Sequence, residues 1–308
     1  ALETGVGRLV VDSFDEIQRL ERVTADGSLV PPRVLVRVTP GIEAHTHEYV
    51  MTGQTDSKFG FGLASGHAAE AVAHLRALER LERLELVGCH THIGSQIFLT
   101  ASYERTVEVL AGFFVPLGLP ELCVGGGLGV PYVTGEEAPG ITEWADTVKS
   151  ACDRAGIAPG TRVTAEPGRS IVAAAGITLY SVGTIKDLPD LRTYVAVDGG
   201  MSDNPRPVLY GSGYEAFLPR ATEADRERMV TVVGKHCESG DFIVRDACVP
   251  SDIRVGDVLA TPVTGAYGHS MASNYNKVPR PPVVFVADGV AKTVVRRESF
   301  EDLVRLDA

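Results

Sequence analysis

The sequence predicts an α/β half built on a parallel sheet, followed by an all-β half. Through about residue 170, short apolar runs alternate with amphipathic stretches of helical period, and strands separated by helices form right-handed βαβ units. After about Ile171 the helical period stops, and valine-rich runs punctuated by Gly, Pro and Asp take over, the pattern of antiparallel strands. Polar residues gather where the first-half strands end: His90 and His92, Gly125 to Gly127, Glu166 and Arg169. In a (β/α) barrel that end of the strands carries the active site.

The elements follow in order. GRLVVDS (7–13) reads as a buried strand and FDEIQRLERV (14–23) as an amphipathic helix. RVLVRVT (33–39) is a strand, and a helix follows over about 66–82. LELVGCHTHIGS (84–95) is a strand running into a loop, with a helix over about 101–115. LCVGGG (122–127) and VTAEPGRS (163–170) are the last two strand-to-loop transitions, separated by a helix over about 142–155. A closed barrel has eight strands, and this reading yields five. Either the sheet is open or about three βα units precede Ala1, where the sequence starts without Met. Beyond residue 171, GITLYSVGTIKD, RTYVAVDGG, MVTVVGKH, GDVLATPV and PPVVFVADGVAKTVV are read as antiparallel strands. The expected domains are therefore 1–170 and 171–308.

Composition excludes several classes. The 308 residues carry a formal net charge of -11, which disfavours a nucleic-acid binder. No apolar run approaches the roughly 20 residues a membrane span needs, and no signal peptide is read. The five cysteines, Cys89, Cys123, Cys152, Cys237 and Cys248, are odd in number and widely spaced. That argues against a disulfide framework or zinc ribbon and for a reducing, cytoplasmic setting.

Each motif has a plain reading beside a functional one. Gly125, Gly126 and Gly127 either bind a phosphate on exposed backbone amides, the absent side chains leaving it room, or form a tight turn; the run is not a dinucleotide or Walker fingerprint. Glu166 and Arg169 flank a Pro-Gly turn, as a local ion pair or a site at a strand end. His90 and His92 share a strand face, but no third ligand stands obviously beside them, so a packed or ring-stacking histidine is favoured over metal; His45 and His47 are read the same way. Cys237 has Lys235, His236 and Glu238 as neighbours; basic neighbours lower a thiol pKa, and a buried structural cysteine is the alternative. Arg206 and Tyr210, four apart, suit carboxylate recognition or plain surface. GAYGHSMASNYN (265–276) packs Tyr267, Ser270, Ser273, Asn274, Tyr275 and Asn276 together, as a pocket wall or a polar loop.

Taken together and in this order, SKFGFG (57–62), HTHIGSQI (90–97), GGGLGV (125–130), EPGRSIV (166–172), VDGGMSDNPRPVLYG (197–211), CESGD (237–241) and GAYGHSMASNYN resemble the diaminopimelate decarboxylases, a family of fold-type III pyridoxal-phosphate decarboxylases. The resemblance spans nearly the whole chain. It implies a TIM-like α/β barrel, incomplete here at about five of eight strands, then a β-domain whose 265–276 segment returns to the active site. It implies a homodimer that decarboxylates meso-2,6-diaminopimelate to L-lysine and CO2 with pyridoxal 5′-phosphate; composition and the want of a ligand set add the expectation of no nucleic acid, membrane or metal. By the same resemblance, Ser95, Gly125, Gly126, Gly127 and Tyr267 hold the cofactor phosphate. His92 stacks on the ring and Glu166 pairs with its nitrogen. Arg169, Arg206 and Tyr210 clamp the substrate's far carboxylate. Cys237 returns a proton to the α-carbon, Glu238 meets the distal amino group, and both reach into the partner's site.

The family attaches its cofactor to a lysine on the first barrel strand, which has no counterpart here. ALETGVGRLVVDS resembles the segment leading into the fourth strand. The expectation is a segment of a longer enzyme, inactive alone, with neither Lys58 nor Lys235 substituting. The competing readings are a decarboxylase of another basic amino acid or a related racemase, and a non-catalytic binding or regulatory protein on a degenerate barrel.

Overall fold

The computed structural model describes residues 1–42, 53, 54 and 56–307. Two compact units are present: residues 1–130 with 137–170, and residues 131–136 with 171–308. His45 and His47 lie outside the described residues.

In the first unit, strands β1 (Leu9–Val11), β2 (Arg33–Thr39), β3 (Phe61–Gly62), β4 (Glu85–His90), β5 (Glu121–Cys123) and β6 (Arg162–Thr164) alternate with helices α1 (Phe14–Val23), α2 (His67–Arg80), α3 (Thr100–Leu117) and α4 (Ile141–Arg154). The sheet order is β1-β2-β4-β5-β6, with β3 paired to the end of β2, and every pairing is parallel. The five sequence-read strands and four helices are all present. The two-residue β3 was not foreseen, being too short for any periodicity to register.

Side chains alternate across the strands, which sets what each face buries. Val34, Val36, Val38, Leu86, Cys89, Leu122 and Val124 point to the helices and join Leu75, Leu110 and Trp144 in one core. Leu35, Val87 and Cys123 form a separate small cluster. α1 starts where Ser13 caps it, the hydroxyl accepting from the Glu16 N–H at 3.3 Å. α3 ends at Gly118, which takes the left-handed conformation at φ +61, the usual glycine stop signal.

Register places one residue per strand at a common level: Arg37 pairs with His90, His90 with Cys123, and Cys123 with Thr164. Asp12, just past β1, joins this level by accepting from Arg37 Nη1 at 3.0 Å and from the Gly60 N–H at 2.9 Å. A polar layer therefore lies directly beneath the C-terminal strand ends.

The second unit holds β7 (Ile177–Leu188), β8 (Arg192–Val197), β9 (Arg228–Val233), β10 (Phe242–Val249) and β11 (Val258–Pro262) in the order β10-β9-β8-β7-β11. The hairpin β12 (Val283–Ala287) and β13 (Val290–Val295) closes through Asp288 and Gly289, both at positive φ (51 and 75), as a two-residue mirror-image turn requires. Short helices α5 (Arg169–Val172), α6 (Arg206–Tyr210), α7 (Gly268–Met271) and α8 (Phe300–Val304) complete the chain. Two differences from expectation stand out. FIVRDACV (242–249), unassigned by sequence, is β10; its central Arg245 and Asp246 break the apolar run. β8 and β9 pair in parallel rather than antiparallel. Parallel neighbours need a long crossover, and residues 198–227 supply it, carrying Arg206 and Tyr210.

Glu298 braces residues 274–280 of this unit. Its carboxylate accepts from Arg280 Nε and Nη2 at 2.8 and 2.6 Å, from the Arg280 N–H at 2.8 Å and from Asn274 Nδ2 at 2.6 Å. The Arg280 hydrogen bonds lower its pKa from 4.5 to about 2. A carboxyl depressed on folding stabilises fully above its unfolded value and loses that contribution as pH falls through the folded one. Unfolding stability measured against pH should therefore decline between about 4.5 and about 2, and Glu298→Gln should flatten that limb.

Candidate active site

Three loops leave the first unit's sheet at β4, β5 and β6, and they touch backbone to backbone. A Cβ on Gly125 would stand 2.2 Å from the Thr91 carbonyl oxygen, one on Gly126 2.1 Å from that of Glu166, and one on Gly127 2.1 Å from that of Gly94. Gly125 and Gly127 also have φ of +73 and +97, which side chains disfavour. The expectation that the absent side chains leave room for a phosphate needs correcting: where side chains would project, neighbouring carbonyls already stand. Hydrogen bonds knit the contact. Glu166 N–H donates to Gly125 O at 2.8 Å, Ile97 N–H to Gly127 O at 2.9 Å, and Tyr103 Oη–H to Gly126 O at 3.1 Å.

The two histidines do different work. Gly126 N–H donates to His92 Nδ1 at 3.1 Å, which leaves the proton on Nε2. Burial lowers the His92 pKa below its ordinary 6.5, and the charge of Arg37 acts the same way, so the ring is neutral at physiological pH. His90, the last residue of β4, is buried, and its Nε2 lies 3.1 Å from Glu166 Oε2. That hydrogen bond holds the Glu166 carboxyl below its ordinary value against the opposing effect of burial, and a hydrogen bond from Cys123 adds to it. Half the Glu166 side chain remains exposed (50%).

His90, Cys123 and Glu166 bring three potential ligand atoms within 4.8 Å of one another. Sequence had paired His90 with His92 and found no third ligand; Cys123 and Glu166 come from other strands. Burial pushes the Cys123 pKa up to about 11, so in this arrangement the sulfur is a thiol that can donate to Glu166. The trio is a hydrogen-bonded cluster supporting Glu166. In the same unit, Arg169 is buried and its Nη2 donates to Ser95 Oγ at 3.1 Å. Lys58 lies over the Phe59 ring, 5.0 Å from its centroid, a ring that Arg37 also covers at 4.6 Å.

In the second unit, Arg206 opens α6 and is 4% exposed. Its guanidinium sits 4.6 Å over the Tyr132 ring and 5.7 Å from that of Tyr210, and Nη2 donates to Ser212 Oγ at 2.9 Å. Nε has no hydrogen-bond partner and no carboxylate pairs with the group among the described residues. Cys237 and Glu238 are exposed, and Tyr275 donates its hydroxyl to Glu238 Oε1. The loop bearing them is pinned by buried Asp241, which accepts from the Met201 N–H at 2.6 Å and the His236 N–H at 2.9 Å. Asp241 was given no role by sequence reasoning, and no local signal marks it: the glycines that admit its carboxylate, Gly200 and Gly234, where a Cβ would meet it at 2.7 or 2.1 Å, are not its neighbours in sequence. Tyr267 sits at φ +62, an outlier for an aromatic residue, of a kind that costs about 1–3 kcal/mol and gathers at functional sites.

The family model for the pyridoxal-dependent decarboxylase pyridoxal-binding domain matches residues 1–173. A diaminopimelate decarboxylase of Actinosynnema pretiosum is 51% identical over 310 residues, covering 99% of this chain and 69% of the relative. The chain belongs to the diaminopimelate decarboxylases. The Bacillus subtilis diaminopimelate decarboxylase is 44% identical, over 100% of this chain and 71% of its own. Among solved structures, the Helicobacter pylori diaminopimelate decarboxylase complexed with L-lysine superposes with a TM-score of 0.86 at 32% identity, over 100% of this chain and 74% of that one. The M. jannaschii diaminopimelate decarboxylase gives 0.90 at 30% identity, over 100% and 70%. The parallel sheet is thus part of a TIM-like barrel, followed by a β-domain, and the cofactor is pyridoxal 5′-phosphate. The residues present fit it: an ionised, half-exposed carboxylate suits a protonated ring nitrogen, and a neutral imidazole suits the face of the ring.

The close approach at Gly126 predicts a sharp contrast within the site. Gly126→Ala should cost about 3 kcal/mol in chemical denaturation, because backbone must move. Gly168→Ala, in the Glu166–Arg169 turn but with nothing within 4 Å of its Cβ, should change stability by less than about 0.5 kcal/mol.

Proposed function

We propose that the protein releases CO2 from meso-2,6-diaminopimelate to give L-lysine, and that it works as a cytoplasmic homodimer. Bound pyridoxal 5′-phosphate supplies an electron sink for the bond to the departing carboxylate. Ser95, Gly125, Gly126, Gly127 and Tyr267 hold its phosphate; His92 lies on the ring face, and Glu166 keeps the ring nitrogen protonated. Arg169, Arg206 and Tyr210 bind the substrate's far carboxylate. Cys237 returns the proton to the α-carbon and Glu238 receives the distal amino group, both acting in the partner's site.

Arg206 carries the substrate assignment. A buried cation left without its partner costs about 3–5 kcal/mol relative to the intact pair, so a guanidinium kept buried on two tyrosines is best explained by an anion that arrives with the ligand. Diaminopimelate brings a carboxylate at its far end; lysine, ornithine and arginine bring only cationic or neutral groups there. The neutral His92 and ionised Glu166 support the cofactor pose, because a second positive charge beside the ring would compete for the Glu166 carboxylate.

Release of CO2 by the complete protein, compared between diaminopimelate and lysine, tests the assignment; faster release from lysine or ornithine, or none from either, would sink it. Cys237→Ala should lower kcat by roughly 10²–10⁴, the usual worth of a general acid, with KM nearly unchanged. Arg206→Leu should instead raise KM for diaminopimelate, because it removes binding common to ground and transition states.

A further inference from the structure

His90 is absorbed by none of these roles, yet it is a buried side chain in direct contact with Glu166. It ends β4 at the polar level beneath the strand ends, in register with Arg37 on one side and Cys123 on the other, and is 5% exposed. Its Nε2 lies 3.1 Å from Glu166 Oε2, while Nδ1 is buried without a partner among the described residues.

We propose that His90 is a positioning residue for Glu166: as the neutral Nε2–H tautomer it donates to one carboxylate oxygen from below, fixing the rotamer and leaving the carboxylate's exposed edge for the cofactor's ring nitrogen. The inference rests on the reading above, in which Glu166 faces that nitrogen. An ionised carboxylate only accepts, so Nε2 carries the hydrogen. A proton on Nδ1 as well would bury a charge and an unsatisfied N–H together, the costlier state. The donation matters because Glu166 follows β6 in a loop with half its side chain in solvent, where a glutamate otherwise samples several rotamers. It also opposes transfer of the ring proton to Glu166: a carboxylate already accepting a hydrogen bond is a weaker base. Arg37 cannot take this role, being committed to Asp12 at 3.0 Å.

The test uses the complete holoprotein loaded with pyridoxal phosphate isotopically labelled at the ring nitrogen, whose NMR shift reports that atom's protonation directly. His90→Asn keeps a polar side chain, but its amide reaches only where Nδ1 sits; the longer amide of His90→Gln reaches the Nε2 position and can donate to Glu166. In the parent the ring nitrogen should stay protonated across the neutral range. In His90→Asn it should titrate within that range, and cofactor affinity should fall about tenfold, the scale of one hydrogen bond to a charged group. His90→Gln should restore both. A parental shift and pH profile in His90→Asn would overturn the inference, as would a Gln variant no better than Asn. Glu166→Gln separates the two layers. If it abolishes the protonated signal while His90→Asn does not, the His90 inference alone fails. If it leaves the signal intact, the pairing of Glu166 with the ring nitrogen fails, and the His90 inference with it.

Discussion

Backbone contact between the loops that follow β4, β5 and β6 is the constraint on which the first unit's site depends. The β5 loop is squeezed between its neighbours, with carbonyl oxygens of Thr91, Gly94 and Glu166 standing where side chains of residues 125–127 would project. Protein interiors yield little to such overlaps, so the three positions must lack a Cβ. The same contact sets the chemistry. The Gly126 amide fixes the His92 tautomer, and the Gly125 carbonyl anchors the backbone of Glu166. Orientation of these two side chains is therefore a by-product of how closely the strand ends are drawn together.

The pKa directions of these side chains diverge for separate physical reasons. His92 is held neutral mainly by burial, Glu166 is held ionised mainly by the His90 hydrogen bond, and Cys123 is held as a thiol by burial. Groups whose environments push their protonation states apart are the usual mark of a site with assigned acid and base roles. The polar layer of Asp12, Arg37 and His90 explains how one carboxylate stays charged while its neighbours stay neutral. Arg37 already has Asp12, so Glu166 is left to His90 and to the thiol of Cys123.

Much of this was legible in the sequence, and the illegible part has a common cause. RVLVRVT and FDEIQRLERV coincide with β2 and α1 because their periodicity is local and strong. The strand-end cluster was visible because strand boundaries reveal which residues share an end. The bond from His90 to Glu166 was not, since it joins positions 76 apart; it becomes visible only when the register aligns His90 with Cys123 and Thr164. The glycine run was singled out for its missing side chains, but a sequence shows that side chains are absent, not what occupies their place. β10 and the parallel pairing of β8 with β9 escaped because charges interrupt the first and strand neighbours are a property of topology, not of composition.

The second unit solves the same positioning problem with a charge instead of a close approach. Loop residues such as Cys237 and Glu238 have no regular backbone ladder to orient them, so something buried must. Asp241 does this by accepting backbone N–H bonds from both Met201 and His236, tying the crossover that carries Arg206 to the loop that carries Cys237. Hydrogen bonds to a charged acceptor are worth about 1.5–3 kcal/mol each, enough to hold two irregular segments in one arrangement. Gly200 and Gly234 admit the carboxylate that close, and His236 extends the brace by joining Ser202 at 2.9 Å. Glu238 is then steadied from a further loop by Tyr275, which the Arg280–Glu298 pair supports in turn through Asn274. The polar density of residues 273–276 is thus explained in part by what the segment holds still, since Asn274 and Tyr275 are tied to Glu298 and Glu238.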